Sequence, residues 1–373
     1  MRYIRLFTNP LRKPYVTSVP KLWRPVIGLE VHAQLQTRSK LFSSAPFKEE
    51  FGVNGSVAQF DMAAPGTLPV LNRAAVMLGI RAGLLLNCQI PKKSRFERKH
   101  YFYADMPAGY QITQQKHPVA HSGYFDFYVH SDQKGFESYN KRLKISRIQL
   151  EIDSGKTIHD LENNRSLIDL NRAGELSYLA HCVGLIEIVT EPSLVSALES
   201  QCFAEQLLMM LTHNAICGGQ MHKGQFRVDA NVSLTTEGSS DLGVRTEIKN
   251  MNSLRMVYLA VNYEIARQYQ ILSNGGTIVN ETRTVDVDGR TVPMRDKEVE
   301  IDYRFLPEPN LPSVVVEPQW LLNEQKMIDR KPDYVLFIED YKIPAKDAFD
   351  IAVSKFLILL HSFFDRAGVV SYV

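Results

Sequence analysis

The chain has 373 residues, of which 45% are hydrophobic and 23% charged, proportions that exclude a disordered, collagen-like or coiled-coil protein. Its 43 basic and 41 acidic side chains nearly cancel to a net charge of +2, so overall charge does not mark a nucleic-acid binder and any polyanion contact must be local. Cys88, Cys182, Cys202 and Cys217 form no C-x-x-C pair, which argues against a disulfide framework or a cysteine-built zinc site, and the longest apolar run, Phe356 to Leu360, falls far short of the ~20 residues that span a bilayer.

The first segment, residues 1–24, carries Arg2, Arg5, Arg12, Lys13, Lys21 and Arg24, and no acidic residue precedes Glu30. That is the composition of an organelle transit peptide, with a disordered basic tail as the alternative; Pro10, Pro14 and Pro20 interrupt the apolar core a secretory signal would need. Strict alternation from Ile27 to Leu35 predicts a strand, with Ile27, Leu29, Val31, Ala33 and Leu35 on one face and Gly28, Glu30, His32 and Gln34 on the other. A helix is predicted over Ala74 to Leu86. A strand follows over Ser146 to Ile152, with Arg147, Gln149 and Glu151 opposite its apolar face. Ser196 to Asn214 reads as a helix, Phe226 to Leu234 as an alternating strand, and Ser253 to Leu272 as a helix with Ser253 as N-cap. Short alternating segments broken by Gly, Pro and Asn run from Pro25 to Pro312, predicting an α+β domain with a large, mostly antiparallel sheet. The segment from Ser313 onward is least like the rest.

Glu30 and His32 share a strand face, about two rises of ~3.3 Å apart. A carboxylate beside an imidazole suits Mg²⁺ or Mn²⁺ better than structural zinc, while a solvated pair on an antiparallel sheet explains the same two residues. Glu151 in IQLEID and Glu187 in GLIEIV interrupt apolar segments, so each is either exposed or held by a partner such as a metal. Spacing leaves open whether the four groups meet.

Three stretches, SRFERKHYFYADMPAGYQIT, QFRVDANVSL and GVRTEIKNMNSLR, concentrate Arg, Lys, Asn and Tyr in the manner of a polyanion site. Ion-pair networks joining Arg227 with Asp229 and Arg245 with Glu247 explain them equally well. There is no Walker loop, no G-x-G-x-x-G after a strand and no G-x-S-x-G elbow. Pro118 keeps His117 and His121 off a common helix face, so both read as loop residues.

The segments GLEVHAQLQTRSKLFSS, PGTLPVLN, FERKHYFYADMPAGYQIT, SLIDLNRAG, LIEIVTEP, RVDANVSL, GVRTEIKNMNS, GGTIVNETR and DYRFLPEPNLP follow one another in that order. Together they resemble the B subunit of glutamyl-tRNA(Gln) amidotransferase, from roughly Pro25 to Pro312, and with the basic N-terminus its mitochondrial form. The resemblance implies a carbon–nitrogen ligase of the mitochondrial matrix, a glutamine-hydrolysing glutaminyl-tRNA synthase that uses ATP to activate the γ-carboxylate of Glu-tRNA(Gln). Ammonia would be released from glutamine by an amidase-type A subunit, with a small C subunit clasping the two. It implies a cradle domain over 25–312 carrying a kinase-like site, and the start of a helical domain over 313–373.

Residue by residue, the resemblance maps Glu30, His32, Glu151 and Glu187 onto the Mg²⁺ site of the family. It places Arg98, Lys99, Arg227, Asn231, Arg245 and Lys249 at ATP phosphates or the tRNA 3′ end, with Tyr101 and Tyr103 lining the acceptor pocket. Two departures from the pattern stand out. An extra stretch, Glu175 to Cys182, precedes Glu187, and after EPNLP the resemblance fades, so that the tail domain is expected to be missing. An isoform that only binds the A and C subunits, without catalysis, is the alternative these departures raise.

Overall fold

A computed structural model describes residues 20, 22–46, 53–100, 102–160, 163–171, 184–294 and 304–353. Most of the predicted transit segment, Tyr101, the Glu175 to Cys182 stretch and residues 354–373 lie outside the described residues. In chain order the first half comprises β1 (Trp23–Gln34), α1 (Arg73–Leu85), β2 (Lys93–Ser94), β3 (Glu97–His100), β4 (Tyr110–Thr113), β5 (Ala120–Val129), β6 (Tyr139–Ile152), β7 (Lys156–Asp160), β8 (Arg165–Asp169) and β9 (Gly184–Thr190). The second half comprises α2 (Ala197–His213), β10 (Phe226–Thr236), β11 (Thr246–Met251), α3 (Leu254–Ser273), β12 (Glu281–Val285), β13 (Thr291–Pro293), β14 (Leu306–Pro307), β15 (Val314–Val315), α4 (Pro318–Lys326), α5 (Asp333–Glu339) and α6 (Ala345–Val353).

The architecture is α+β, built on an eight-stranded sheet in the order β13-β12-β11-β10-β1-β9-β6-β5. Every neighbouring pair is antiparallel except β11 with β12. The alternation of β1 explains its central place. Ile27, Leu29, Val31 and Ala33 are fully buried and join Val228, Ala230, Val232, Ile148, Leu150, Ile186 and Ile188 in one core. Helices α1, α2 and α3 cover that apolar face, α1 against β5 and β6, α2 against β5 and β1, and α3 against β10 and β11.

Helix starts follow local chemistry. Asn72 accepts from the Ala74 N–H at 2.9 Å, Ser196 Oγ from Glu199 at 3.1 Å, and Ser253 Oγ from Met256 at 3.2 Å. Glu199 reaches back to the Val195 N–H at 2.7 Å, tying the chain entering α2 to its first turn.

The other face of the sheet carries the charged members of each alternation. A small sheet, β14-β3-β4, lies beside it, with β4 packed on β6 and the Gln111 amide donating to the Ile152 carbonyl at 2.7 Å. His121 belongs to β5 and pairs with Arg147, so the loop reading is corrected for it: Pro118 ends two residues before the strand begins. Beyond Ser313, α4 docks on α1 through Arg81 and Glu324 (2.7 Å), while Tyr334, Ala345 and Phe349 form a separate small cluster, with His130 stacked on Phe349 at 4.3 Å. Among the described residues, no helix is long and apolar enough to cross a membrane.

Candidate metal centre

Strand register assembles the site. His32 on β1 stands opposite Glu187 on β9 and Arg227 on β10; Glu187 in turn stands opposite Gln149 on β6, and Glu30 opposite Asp229. Directly paired residues of neighbouring strands share a face, so these groups emerge together.

His32 Nε2 lies 3.4 Å from Glu151 Oε1 and 3.9 Å from Glu187 Oε2. One donor atom from each of His32, Glu151 and Glu187 falls within 4.8 Å of the others, the only group of three or more such residues found among the described residues. Gln149 fixes Glu187 by donating to its Oε2 at 2.7 Å and is itself held by Arg147 at 2.9 Å. Thr113 Oγ1 reaches Glu151 Oε2 at 3.4 Å. Glu30 stands one step aside, accepting from Asn231 Nδ2 at 2.9 Å. Three of the four expected ligands therefore converge, and the fourth is a neighbour whose charge is felt at Glu187.

The carboxylates have unusual proton affinities. Burial lifts Glu187 well above the ordinary range, and the charges of Glu151 and Glu30 lift it further. Burial also raises Glu151, against the opposing pull of Lys99. Asp229 is pushed up to about 6, again chiefly by burial, although the Asn250 N–H bonds it at 2.8 Å. Buried carboxylates this close hold protons unless a cation replaces them. One imidazole nitrogen with carboxylate oxygens is a donor set that fits Mg²⁺ or Mn²⁺.

A pH dependence follows. Between the unfolded carboxyl value and the raised folded value, the native state holds protons that the unfolded chain releases, so this contribution to stability falls as pH rises. For Asp229 that window runs from 3.8 to about 6, and for Glu187 it begins at 4.5. Without divalent cation, thermal midpoints should fall across this interval less steeply in Glu187→Gln than in the wild type. Added Mn²⁺ should raise the wild-type midpoint more at about pH 7.5 than at about pH 5, because protons compete for the same oxygens. Melts in parallel buffers check both; a cation shift that ignores pH would contradict them.

The basic residues divide. Lys99 on β3 places its charge where it favours the ionised forms of both Glu151 and Glu187. Arg98, its neighbour on the strand, points the other way: it forms a two-pronged pair with Glu308 at 2.6 and 3.0 Å and lies 4.2 Å from the Tyr110 ring centre. Here Arg98 clamps β3 to the segment after β14. Burial opposes the charge of Arg227, but Asp153 at 3.3 Å, together with the charges of Asp229 and Glu151, more than offsets it; the hydrogen-bonded partner is Asp153. Lys249 lies 3.7 Å from Glu247, and Arg245 is exposed before β11. Tyr103 is 48% exposed in the β3–β4 loop.

Gln149, Thr113 and Arg147 escaped sequence reasoning as parts of the site. Arg147 and Gln149 share the face of Glu151 in the alternation, which was the available signal. Thr113 comes from a separate sheet and carries none.

The catalytic-domain model of the GatB/GatE family matches residues 25–322. The chain belongs to that family. This GatB/GatE member is 48% identical over 319 residues to the B subunit of the mitochondrial glutamyl-tRNA(Gln) amidotransferase of Aedes aegypti, covering 83% of this chain and 59% of that protein. It is 46% identical over 322 residues to the human mitochondrial B subunit, covering 83% and 56%. It is 43% identical over 328 residues to the B subunit of the aspartyl/glutamyl-tRNA(Asn/Gln) amidotransferase of Caldicellulosiruptor saccharolyticus, covering 87% and 65%. The chain thus spans a little over half the length of the mitochondrial relatives it matches.

Proposed function

We propose that this GatB/GatE chain is the carboxylate-activating component of a tRNA-dependent amidotransferase of the mitochondrial matrix, converting Glu-tRNA(Gln) to Gln-tRNA(Gln) with ATP and ammonia drawn from glutamine. The observation that carries this reading is the convergence of His32, Glu151 and Glu187 beside Lys99 on the polar face of the family's catalytic domain. The names of the mitochondrial relatives support a glutamyl-tRNA(Gln) substrate and a mitochondrial location.

A carboxylate is a poor electrophile, and phosphoryl transfer from ATP makes it a good one. His32, Glu151 and Glu187 would hold a divalent cation, which when bound neutralises phosphate charge. Gln149, through Arg147, keeps the Glu187 carboxylate aimed at the cluster. Asn231 does the same for Glu30. Lys99 adds positive charge at the same place, from a strand anchored to the end of β6. Arg227 keeps its charge in a buried setting through Asp153, and the low-dielectric surroundings strengthen each of these interactions while excluding the water that would hydrolyse an acyl phosphate. Residues 25–312 form the catalytic cradle in this reading, with an amidase-type A subunit and a small C subunit as partners and the segment from 313 opening a helical domain.

The test is amidation of Glu-tRNA(Gln) by this chain assembled with those two partners, supplied with ATP, Mg²⁺ and ammonium chloride to bypass glutamine hydrolysis. Gln-tRNA(Gln) should form. No product beside an active full-length relative would overturn the reading.

A further inference from the structure

A small cleft of about 40 Å³, lined by Lys40, Phe42, Asp61, Asp105, Asp153 and Leu170 among others, opens at the end of β6. Most of its charges are matched. Lys40 Nζ lies 3.0 Å from Asp61 Oδ2 and donates to the Leu170 carbonyl at 3.0 Å, while Asp61 also accepts from Ser43 at 3.1 Å and from the Ala58 N–H at 2.8 Å. Asp153 meets Arg227 at 3.3 Å.

Asp105 differs. Its backbone carbonyl accepts from the Gly155 N–H at 2.8 Å, at an approach so close that a Cβ on Gly155 would stand 3.0 Å from that oxygen. The loop is thereby fixed, yet the half-buried Asp105 carboxylate makes no hydrogen bond or ion pair among the described residues. With the other pairs neutral, the cleft keeps one negative charge.

Its walls include Leu41, Met106, Pro107 and Ile152. One carboxylate among such walls does not supply the six or so oxygens a divalent cation takes. An organic ammonium on a short hydrocarbon chain satisfies both the charge and the walls.

We infer that Asp105 binds the α-ammonium group of the aminoacyl substrate, making this cleft the subsite for the amino-acid end of the aminoacyl-tRNA. The inference rests on the transamidation reading above and adds how its substrate is recognised. The cleft adjoins the metal centre: Ile152 and Asp153 in its wall directly follow Glu151 in the chain, and Asp153 pairs with Arg227, which stands opposite His32. In a glutamyl group the ammonium nitrogen and γ-carboxyl carbon are four bonds apart, about 5 Å when extended. On this inference one glutamyl residue holds its ammonium in the cleft and its γ-carboxylate at the metal centre. The subsite reads a free amine.

The test compares Glu-tRNA(Gln) with N-acetyl-Glu-tRNA(Gln), which lacks the positive charge, in ammonium-driven amidation by the assembled complex. The wild type should favour the free amine by about tenfold or more in kcat/KM, the worth of one charge-assisted hydrogen bond. Asp105→Asn should raise KM for Glu-tRNA(Gln) by about the same factor, leave the acetylated substrate unchanged and so erase the preference. Asp105→Glu should restore part of it. If Asp105→Asn keeps the wild-type preference, or loses activity equally on both substrates, the ammonium subsite is overturned while the transamidation reading stands. A wild-type complex that amidates neither substrate would overturn that reading, and this inference with it.

Discussion

Glu187→Gln should lower ATP-dependent amidation by the assembled complex at least about a hundredfold while leaving the fold as stable as the wild type or more so. The loss follows from removing one of the carboxylates that would hold the cation offsetting phosphate charge, and losing such an electrostatic element costs on the order of 10²–10³ in rate. Stability moves the other way because Glu187 is buried beside Glu151 and Glu30, which resist its ionisation. A glutamine keeps the size of the side chain and relieves that repulsion. His32→Ala should show a similar loss of amidation, since His32 Nε2 is the nitrogen donor within 3.4 Å of Glu151 and 3.9 Å of Glu187. Glutamine hydrolysis by the amidase-type partner should persist in both variants. Steady-state rates paired with thermal melts check the combination; wild-type amidation by either variant would remove the cluster from the chemistry.

The second large effect is structural. Glu264 in α3 is fully buried, 0% exposed, and its carboxylate is the hub of a network. It accepts from Arg267 at 2.7 and 2.9 Å, from Gln268 at 2.9 Å and from the Thr291 hydroxyl at 2.7 Å, with Arg283 at 3.7 Å. Gln268 also donates to the Val232 carbonyl at 3.0 Å, and Arg283 to the Thr291 carbonyl at 2.8 Å, so the hub ties α3 to β10, β12 and β13 together. Removing one partner of such a network leaves the others buried and uncompensated. Glu264→Ala should therefore cost about 3–5 kcal/mol, far more than loss of an exposed pair. Urea unfolding gives the number directly. A cost under about 1 kcal/mol would show that the arginines find solvent or Glu281 instead.

Several of these features were legible in the sequence. Strict alternation placed Ile27 to Leu35 as a strand with one apolar face, and that strand became the centre of the large sheet. Ser253 before a helical stripe marked the start of α3, because a hydroxyl there satisfies an N–H that the helix leaves open. Glu151 and Glu187 stood out as carboxylates in apolar strands.

What the sequence withheld depends on long-range register. Glu187 meets both His32 and Gln149 only because β9 lies between β1 and β6, an order that no local pattern specifies. The same holds for the basic residues. Arg98 and Lys99 are adjacent in a motif rich in both, yet a strand sends neighbours to opposite sides, so one clamps Glu308 and the other faces the carboxylates. Arg227 hydrogen-bonds Asp153, 74 positions away, a partner that neither the polyanion-site reading nor the ion-pair reading with Asp229 named.

The most direct measurement follows an oxygen atom. If the γ-carboxylate of Glu-tRNA(Gln) attacks the terminal phosphorus of ATP and ADP departs, ammonia then displaces phosphate from the acyl carbon, and one carboxylate oxygen leaves with that phosphate. Glu-tRNA(Gln) labelled with ¹⁸O in the γ-carboxylate, incubated with the assembled complex, ATP, Mg²⁺ and ammonium chloride, should yield one ¹⁸O in the inorganic phosphate for each Gln-tRNA(Gln) formed. Product formation with unlabelled phosphate would contradict activation of the carboxylate by this chain.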